Sequence, residues 1–201
     1  MQMNPGYMTV VVLLSIGILL GSGWKDYFFK GLSYKSIVLF VAAWLIGSLI
    51  KLRLHVHGLD LQLNMAFTFL LLFSVFLLIR LKSALERLNL LTIGLMLCIL
   101  DFTLREASGL PMEYIAICLA IVVTGLQKRL DKQLASLLLG FLCGNVLSLL
   151  AHQNSRLLIL ADQSYQDLWW LTLLFTRVFV VLYENGIAGF RKWVSVIFEK
   201  K

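Results

Sequence analysis

Long apolar runs separated by short polar connections divide this chain from one end to the other. Residues 5–24, 61–79 and 134–151 hold no charged side chain, and 36–54 is apolar as far as Ile50, with Leu52 and Leu54 extending it. The runs 88–106, 110–127 and 166–185 enclose Asp101, Glu113 and Arg177 respectively. A helix needs about 20 mostly apolar residues to cross the hydrocarbon of a bilayer. These runs are apolar on all sides, without the period-two alternation of a spanning barrel. The pattern therefore predicts an all-α, polytopic integral membrane bundle. Its seven transmembrane helices occupy 5–24, 36–54, 61–79, 88–106, 110–127, 134–151 and 166–185. One domain covers 1–185, and residues 186–201 form a basic amphipathic tail. Pro5 and Pro111 fall at helix starts, where a missing N–H costs little.

The connections test this segmentation independently, because Lys and Arg concentrate on the cytoplasmic side of a membrane. Of 18 basic residues, thirteen lie in 25–35, 80–87, 128–132 and the tail. Only four lie in the alternate connections (Lys51, Arg53, Arg105 and Arg156), and Arg177 is within a span. The bias predicts the N-terminus outside and the C-terminus inside. No Lys or Arg precedes Lys25, so the first run reads as an uncleaved signal-anchor rather than a signal peptide.

Composition agrees with a lipid solvent. The chain has 201 residues, 60% hydrophobic and 14% charged, with a mean hydropathy of +0.87. Soluble domains are about 45–50% apolar and about 25% charged. The formal charge of +7 is scattered between apolar runs, which argues against a nucleic-acid partner. Cys98, Cys118 and Cys143 form no C-x-x-C pair and read as small apolar packers. Tyr7, Tyr114, Tyr165, Trp169 and Trp170 fall near the outer boundary, and Trp24, Tyr34, Tyr183 and Trp193 near the inner one, as an aromatic belt would.

Small residues mark close helix packing. Ser136, Gly140, Gly144 and Ser148 recur every fourth position, and Gly17 and Gly21 make a shorter stripe. Internal packing is the first expectation and homo-oligomer contact the second. In the tail, Ile187, Phe190, Trp193, Val194, Ile197 and Phe198 follow helical spacing, with Arg191, Lys192 and Lys200 elsewhere. It would either break at Gly186 and Gly189 and lie on anionic lipid, or simply prolong the last helix.

The intramembrane charges carry the site hypothesis. Arg177 lies nine residues beyond Leu168, about 13 Å at the helical rise. A charge at bilayer depth costs about 2.5–3.5 kcal/mol or more unless it is partnered. Asp101 is the opposite charge in a neighbouring span, so an Asp101–Arg177 pair is expected, with snorkelling of Arg177 as the alternative. Asn64, Gln62, Glu113 and Asn145 are placed at similar depth in the outer half. Such a cluster would lock the bundle by interhelical hydrogen bonds, or else line an outward-facing cavity.

Catalytic chemistry is weakly signalled. His55 and His57, as HVH, are a candidate metal pair, but no H-E-x-x-H accompanies them. No G-x-S-x-G, P-loop or G-x-G-x-x-G occurs, and no base is assigned by spacing to Ser15, Ser48, Ser74, Ser136 or Ser148. No cofactor is implied. The expected function is a non-enzymatic membrane assembly, sensing or interaction protein whose partners are the bilayer, a second copy or another membrane protein. A small-solute or ion carrier using Asp101, Asn145 and Arg177 comes second, and a membrane-embedded metal-dependent hydrolase third. The opening MNPGY at 3–7, GSGWK at 21–25 and the overall size resemble the YphA family of small bacterial membrane proteins. That resemblance implies a bacterial plasma-membrane location and lends no catalytic residues.

Overall fold

The computed structural model describes residues 5–56, 59–81, 83–107, 109–151, 157–160 and 162–199. The structure is mostly helical, and every predicted span contains a helix. In chain order these are α1 (Tyr7–Gly21), α2 (Lys25–Phe28), α3 (Tyr34–Leu49), α4 (Met65–Arg80), α5 (Ala84–Ala107), α6 (Met112–Leu126), α7 (Leu130–Ala151) and α8 (Gln163–Glu199). Three helical stretches are long and apolar enough to cross a membrane: Ala84–Glu106, Leu130–Ser148 and Gln163–Ile187. Four more, in α1, α3, α4 and α6, are apolar but shorter.

The helix ends follow local chemistry. The Ser33 hydroxyl accepts the Ser36 N–H at 3.1 Å and caps α3. The Asn64 side chain accepts the Ala66 N–H at 3.0 Å and caps α4. Pro111 occupies the N-cap position of α6. Gly31, immediately ahead of Leu32 and the α3 cap, has φ of 89°, a left-handed turn that a side chain would strain.

The all-α expectation needs correction. Between α3 and α4 the chain forms a hairpin, β1 (Lys51–Val56) and β2 (Leu59–Asn64), paired antiparallel from Lys51↔Asn64 to Val56↔Leu59. A third strand, β3 (Leu157–Leu160), joins β2 in parallel, with Asp60 opposite Leu157 and Leu63 opposite Leu160. The predicted span 36–54 therefore ends as helix at Leu49, and the span 61–79 begins as helix only at Met65. The sheet ties the α3–α4 connection to the α7–α8 connection and marks one end of the bundle, here the sheet end.

α7 packs most extensively on α5, and α6 on α8, with α1 also laid against α8. Leu137, Leu138 and Phe141 of α7 are fully buried. The same core continues between α3 and α8, where Trp44 stacks on Trp169 at 5.1 Å and Trp169 meets Trp170 edge-on at 4.8 Å. Trp169, Trp170 and Tyr165 are thus core residues rather than boundary anchors. Tyr7, Trp24, Tyr34, Tyr114 and Tyr183 are exposed, as a belt requires. The tail continues α8 without a break at Gly186 or Gly189, and its side chains from 188 onward lie outside the described residues.

Candidate functional site

The expected Asp101–Arg177 pair does not form. Asp101 is buried on α5, and both its carboxylate oxygens accept from Arg105 one turn later, Nε donating to Oδ1 at 3.0 Å and Nη2 to Oδ2. The Arg105 guanidinium also lies over the Tyr165 ring, 5.0 Å from its centroid. The Asp101 carboxylate is accommodated because residue 144 is glycine: a Cβ there would lie 2.6 Å from Asp101 Oδ2. Asn145, the next residue, is buried beside the Tyr165 hydroxyl. Asp101, Arg105, Gly144, Asn145 and Tyr165 thus make one polar knot between α5, α7 and α8 near the sheet end.

A second lock sits at the same end. Asp167, in the second turn of α8, is buried and caps α1 from across the bundle. Its carboxylate accepts the Gly6 N–H at 2.7 Å, and the Thr9 N–H and hydroxyl at 2.6 Å each. An anion at a helix N-terminus satisfies otherwise orphaned donors and complements the helix dipole. Asn64, expected in the polar cluster, serves instead as the cap of α4. Glu113 is half-buried in the first turn of α6.

Arg177 belongs to the opposite end. It lies 12 residues beyond Tyr165 on α8, about 18 Å along the axis. It is 4% exposed. Its Nε donates to the Phe28 carbonyl, Nη1 to Gln133 Oε1 at 2.8 Å and Nη2 to the Tyr27 carbonyl at 3.4 Å. Gln133 is held in turn by its Nε2, which donates to the Gln127 carbonyl at 2.7 Å. Neutral acceptors, rather than a carboxylate, therefore surround this guanidinium. Tyr27 and Phe28 lie in one basic connection, 25–35, and Gln127 and Gln133 flank another, 128–132.

Those connections enclose a cavity of about 1000 Å³. Residues 30–32, 80–81, 83 and 128–132 wall it, together with Glu86, Arg177 and Glu184. Two cations of the wall are paired: Lys132 with Glu86 at 2.9 Å and Arg129 with Asp131 at 2.7 Å. Lys30, Arg80, Lys128 and Arg177 have no carboxylate within 4 Å among the described residues. The cavity at the sheet end is smaller, about 230 Å³, and is walled by Lys51, Gln62, Asn64 and Asp162 among others. An outward-facing cavity around Asp101, Asn145 and Arg177 is therefore corrected: the first two share the sheet-end knot and the third lines the basic cavity.

The small-residue stripe of α7 is an internal seam. A Cβ on Gly140 would lie 2.6 Å from Leu97 Cβ and 3.1 Å from the Gly94 carbonyl oxygen of α5. Ser136 is fully buried and donates to the Gln133 carbonyl, and Ser148 is half-buried. Gly17 and Gly21 meet nothing within 4 Å and stay on an open face of α1. Of the candidate metal pair, His55 lies in β1 with its side chain outside the described set, and His57 lies outside the described residues. No group of three metal-ligating side chains occurs among the described residues.

Arg105, Gln133, Asp167 and Gly94 all escaped the sequence reading. Arg105 had a signal, its i+4 spacing from Asp101. Asp167 and Gln133 had none, since their partners lie 158 and 44 residues away. No known family model, curated protein or solved structure matches this chain.

Proposed function

We propose that this chain is a multi-pass integral membrane protein of the bacterial plasma membrane, threaded seven times with its N-terminus outside and its C-terminus inside. It works without enzymatic activity as an assembly, sensing or interaction protein. The observation that carries this reading is the inverted distribution of polarity. Asp101, Asp167, Gln133, Asn145 and Arg177 are buried, while Leu14, Ile18, Leu39, Leu72, Leu95 and Ile99 face outward. Water as solvent would penalise both halves of that arrangement; lipid favours both.

Two further facts support it. Three of the basic connections meet around one cavity at one end of the bundle, as alternate threading requires. The four shorter helices, 15 or 16 residues each, span about 22–24 Å. Apolar flanks and local thinning of the bilayer supply the remaining depth. The likeness of 3–7 and 21–25 to the YphA family fits this location.

Single cysteines in a chain stripped of Cys98, Cys118 and Cys143 test the threading. Lys30→Cys, Ser83→Cys and Lys128→Cys are expected to react with an impermeant maleimide only after the inner face is opened. Lys51→Cys and Gln163→Cys are expected to react in intact cells. Labelling of residues 30 and 128 from opposite faces overturns the topology, and recovery of the native chain without detergent overturns the membrane reading itself.

A further inference from the structure

The basic cavity has an apolar neighbour. Leu32, Leu77 and Arg80 line both it and a narrow apolar crevice of about 120 Å³ that runs between α3, α4 and α8. Phe40, Phe73, Phe76 and Trp170 make much of that crevice. A cationic chamber therefore adjoins an apolar slot, with Arg80 on the shared wall.

Charge and donor counts define what fits the chamber. After the Lys132–Glu86 and Arg129–Asp131 pairs are set aside, Lys30, Arg80, Lys128 and Arg177 face Glu184 alone in the wall. The excess is cationic. A guanidinium carries five N–H donors, and three of those on Arg177 are engaged, one on each nitrogen. Among the described residues no partner takes the second N–H of either terminal nitrogen, on a group fixed by Gln133 and two backbone carbonyls. A preorganised cation with spare donors is suited to a tetrahedral oxyanion such as phosphate. The adjoining aromatic slot, at about 120 Å³, is suited to a short stretch of alkyl chain. Only an amphiphile uses both.

The geometry points to a binding site for a phosphate-bearing lipid, its phosphate held by Arg177, Arg80, Lys30 and Lys128 and a short stretch of one acyl chain laid in the crevice beside Phe40, Phe73 and Trp170. This rests on the membrane reading, which places the chamber at the anionic cytoplasmic leaflet. It goes beyond that reading by naming a ligand class and the residues that take it.

The test uses native mass spectrometry on the full chain, purified in a non-ionic detergent and stripped of lipid. Three probes separate the sources of affinity: dioctanoyl phosphatidate, dioctanoylglycerol, which has the chains without the phosphate, and glycerol 3-phosphate, which has the phosphate without the chains. Phosphatidate is expected to bind at least about tenfold more tightly than either, the equivalent of one charge-assisted hydrogen bond. Arg177→Gln is expected to weaken it at least about tenfold. Because Arg177 is buried, the double variant Arg80→Gln/Lys128→Gln, at exposed positions, gives the same readout without disturbing the interior. Equal binding of phosphatidate by this double variant and the wild type overturns the proposal. So does dioctanoylglycerol matching phosphatidate. Glycerol 3-phosphate matching phosphatidate overturns the lipid and leaves a free phosphate ester as the ligand. A chain that stays soluble without detergent fails the membrane reading before any lipid is added, so the two failures are distinct.

Discussion

Asp101 and Arg105 are one turn apart on a single helix, and that short range decides which charge answers which. An i,i+4 partner needs no bundle to form; a cross-bundle partner does. Removing one member leaves the other charge buried with unfilled hydrogen bonds. Asp101→Asn and Arg105→Met are each expected to lower stability toward the low end of about 3–5 kcal/mol, because the Arg105 side chain keeps 24% exposure. The double variant should recover part of the loss. Thermal unfolding in detergent measures the cycle, and Asp101→Asn with Arg177→Gln should instead be additive within about 0.5 kcal/mol. Coupling above that would restore the Asp101–Arg177 pair. Asp167 presents a different case. Asp167→Ala strips three hydrogen bonds from the start of α1 and is expected to cost about 1.5–3 kcal/mol, with faster amide exchange at Gly6 and Thr9 as the local sign. No exchange difference there would mean that the carboxylate is not the cap. Asp101 stands out in the sequence as a charge inside an apolar run, whereas Asp167, at the edge of the run 166–185, does not. Their partners were legible only for Asp101, because local spacing encodes a neighbour on the same helix and encodes nothing about one 158 residues away.

Elements were easier to place than their ends. Apolar length located every helix but α2, a single turn inside the connection 25–35. The hairpin was missed although KLRLHV and LDLQLN alternate strictly, with His57 and Gly58 between them. Its leucines were counted as extensions of neighbouring helices, an error that follows from reading hydrophobicity without period. The glycines show how element packing reverses the sign of a substitution. Alanine normally stabilises a helix by about 0.8–1 kcal/mol over glycine. Gly17 and Gly186 meet nothing within 4 Å, so Gly17→Ala and Gly186→Ala are expected to gain roughly that amount. Gly140→Ala drives a methyl into Leu97 and the Gly94 carbonyl, backbone that cannot rotate away, and is expected to lose about 1–3 kcal/mol. Unfolding midpoints of the three variants should therefore move in opposite directions. A rise for Gly140→Ala would mean that α5 and α7 do not meet along this seam.

The molecule as a whole is defined by which solvent its outer face meets, and that is open to a test of sign. Leu72 and Leu95 lie near the middles of α4 and α5 and are more than half exposed. In water, an exposed leucine changed to arginine alters stability by less than about 0.5 kcal/mol. In lipid, an arginine near a helix centre costs about 2.5–3.5 kcal/mol on insertion scales. Leu72→Arg and Leu95→Arg are accordingly expected to lower the membrane-integrated fraction of newly made chain sharply. Lys30→Gln, at the basic end, should leave it unchanged. The comparison is informative because all three positions are exposed and none disturbs the core, so folding of the interior is common to them. A membrane-facing belt requires the two leucines to be intolerant of charge while the lysine tolerates its loss. Tolerance of both arginines would place water at the helix centres. The buried polar knot, the Asp167 cap and the Arg177 cluster would then have to be explained as the interior of a soluble bundle with an unusually apolar coat.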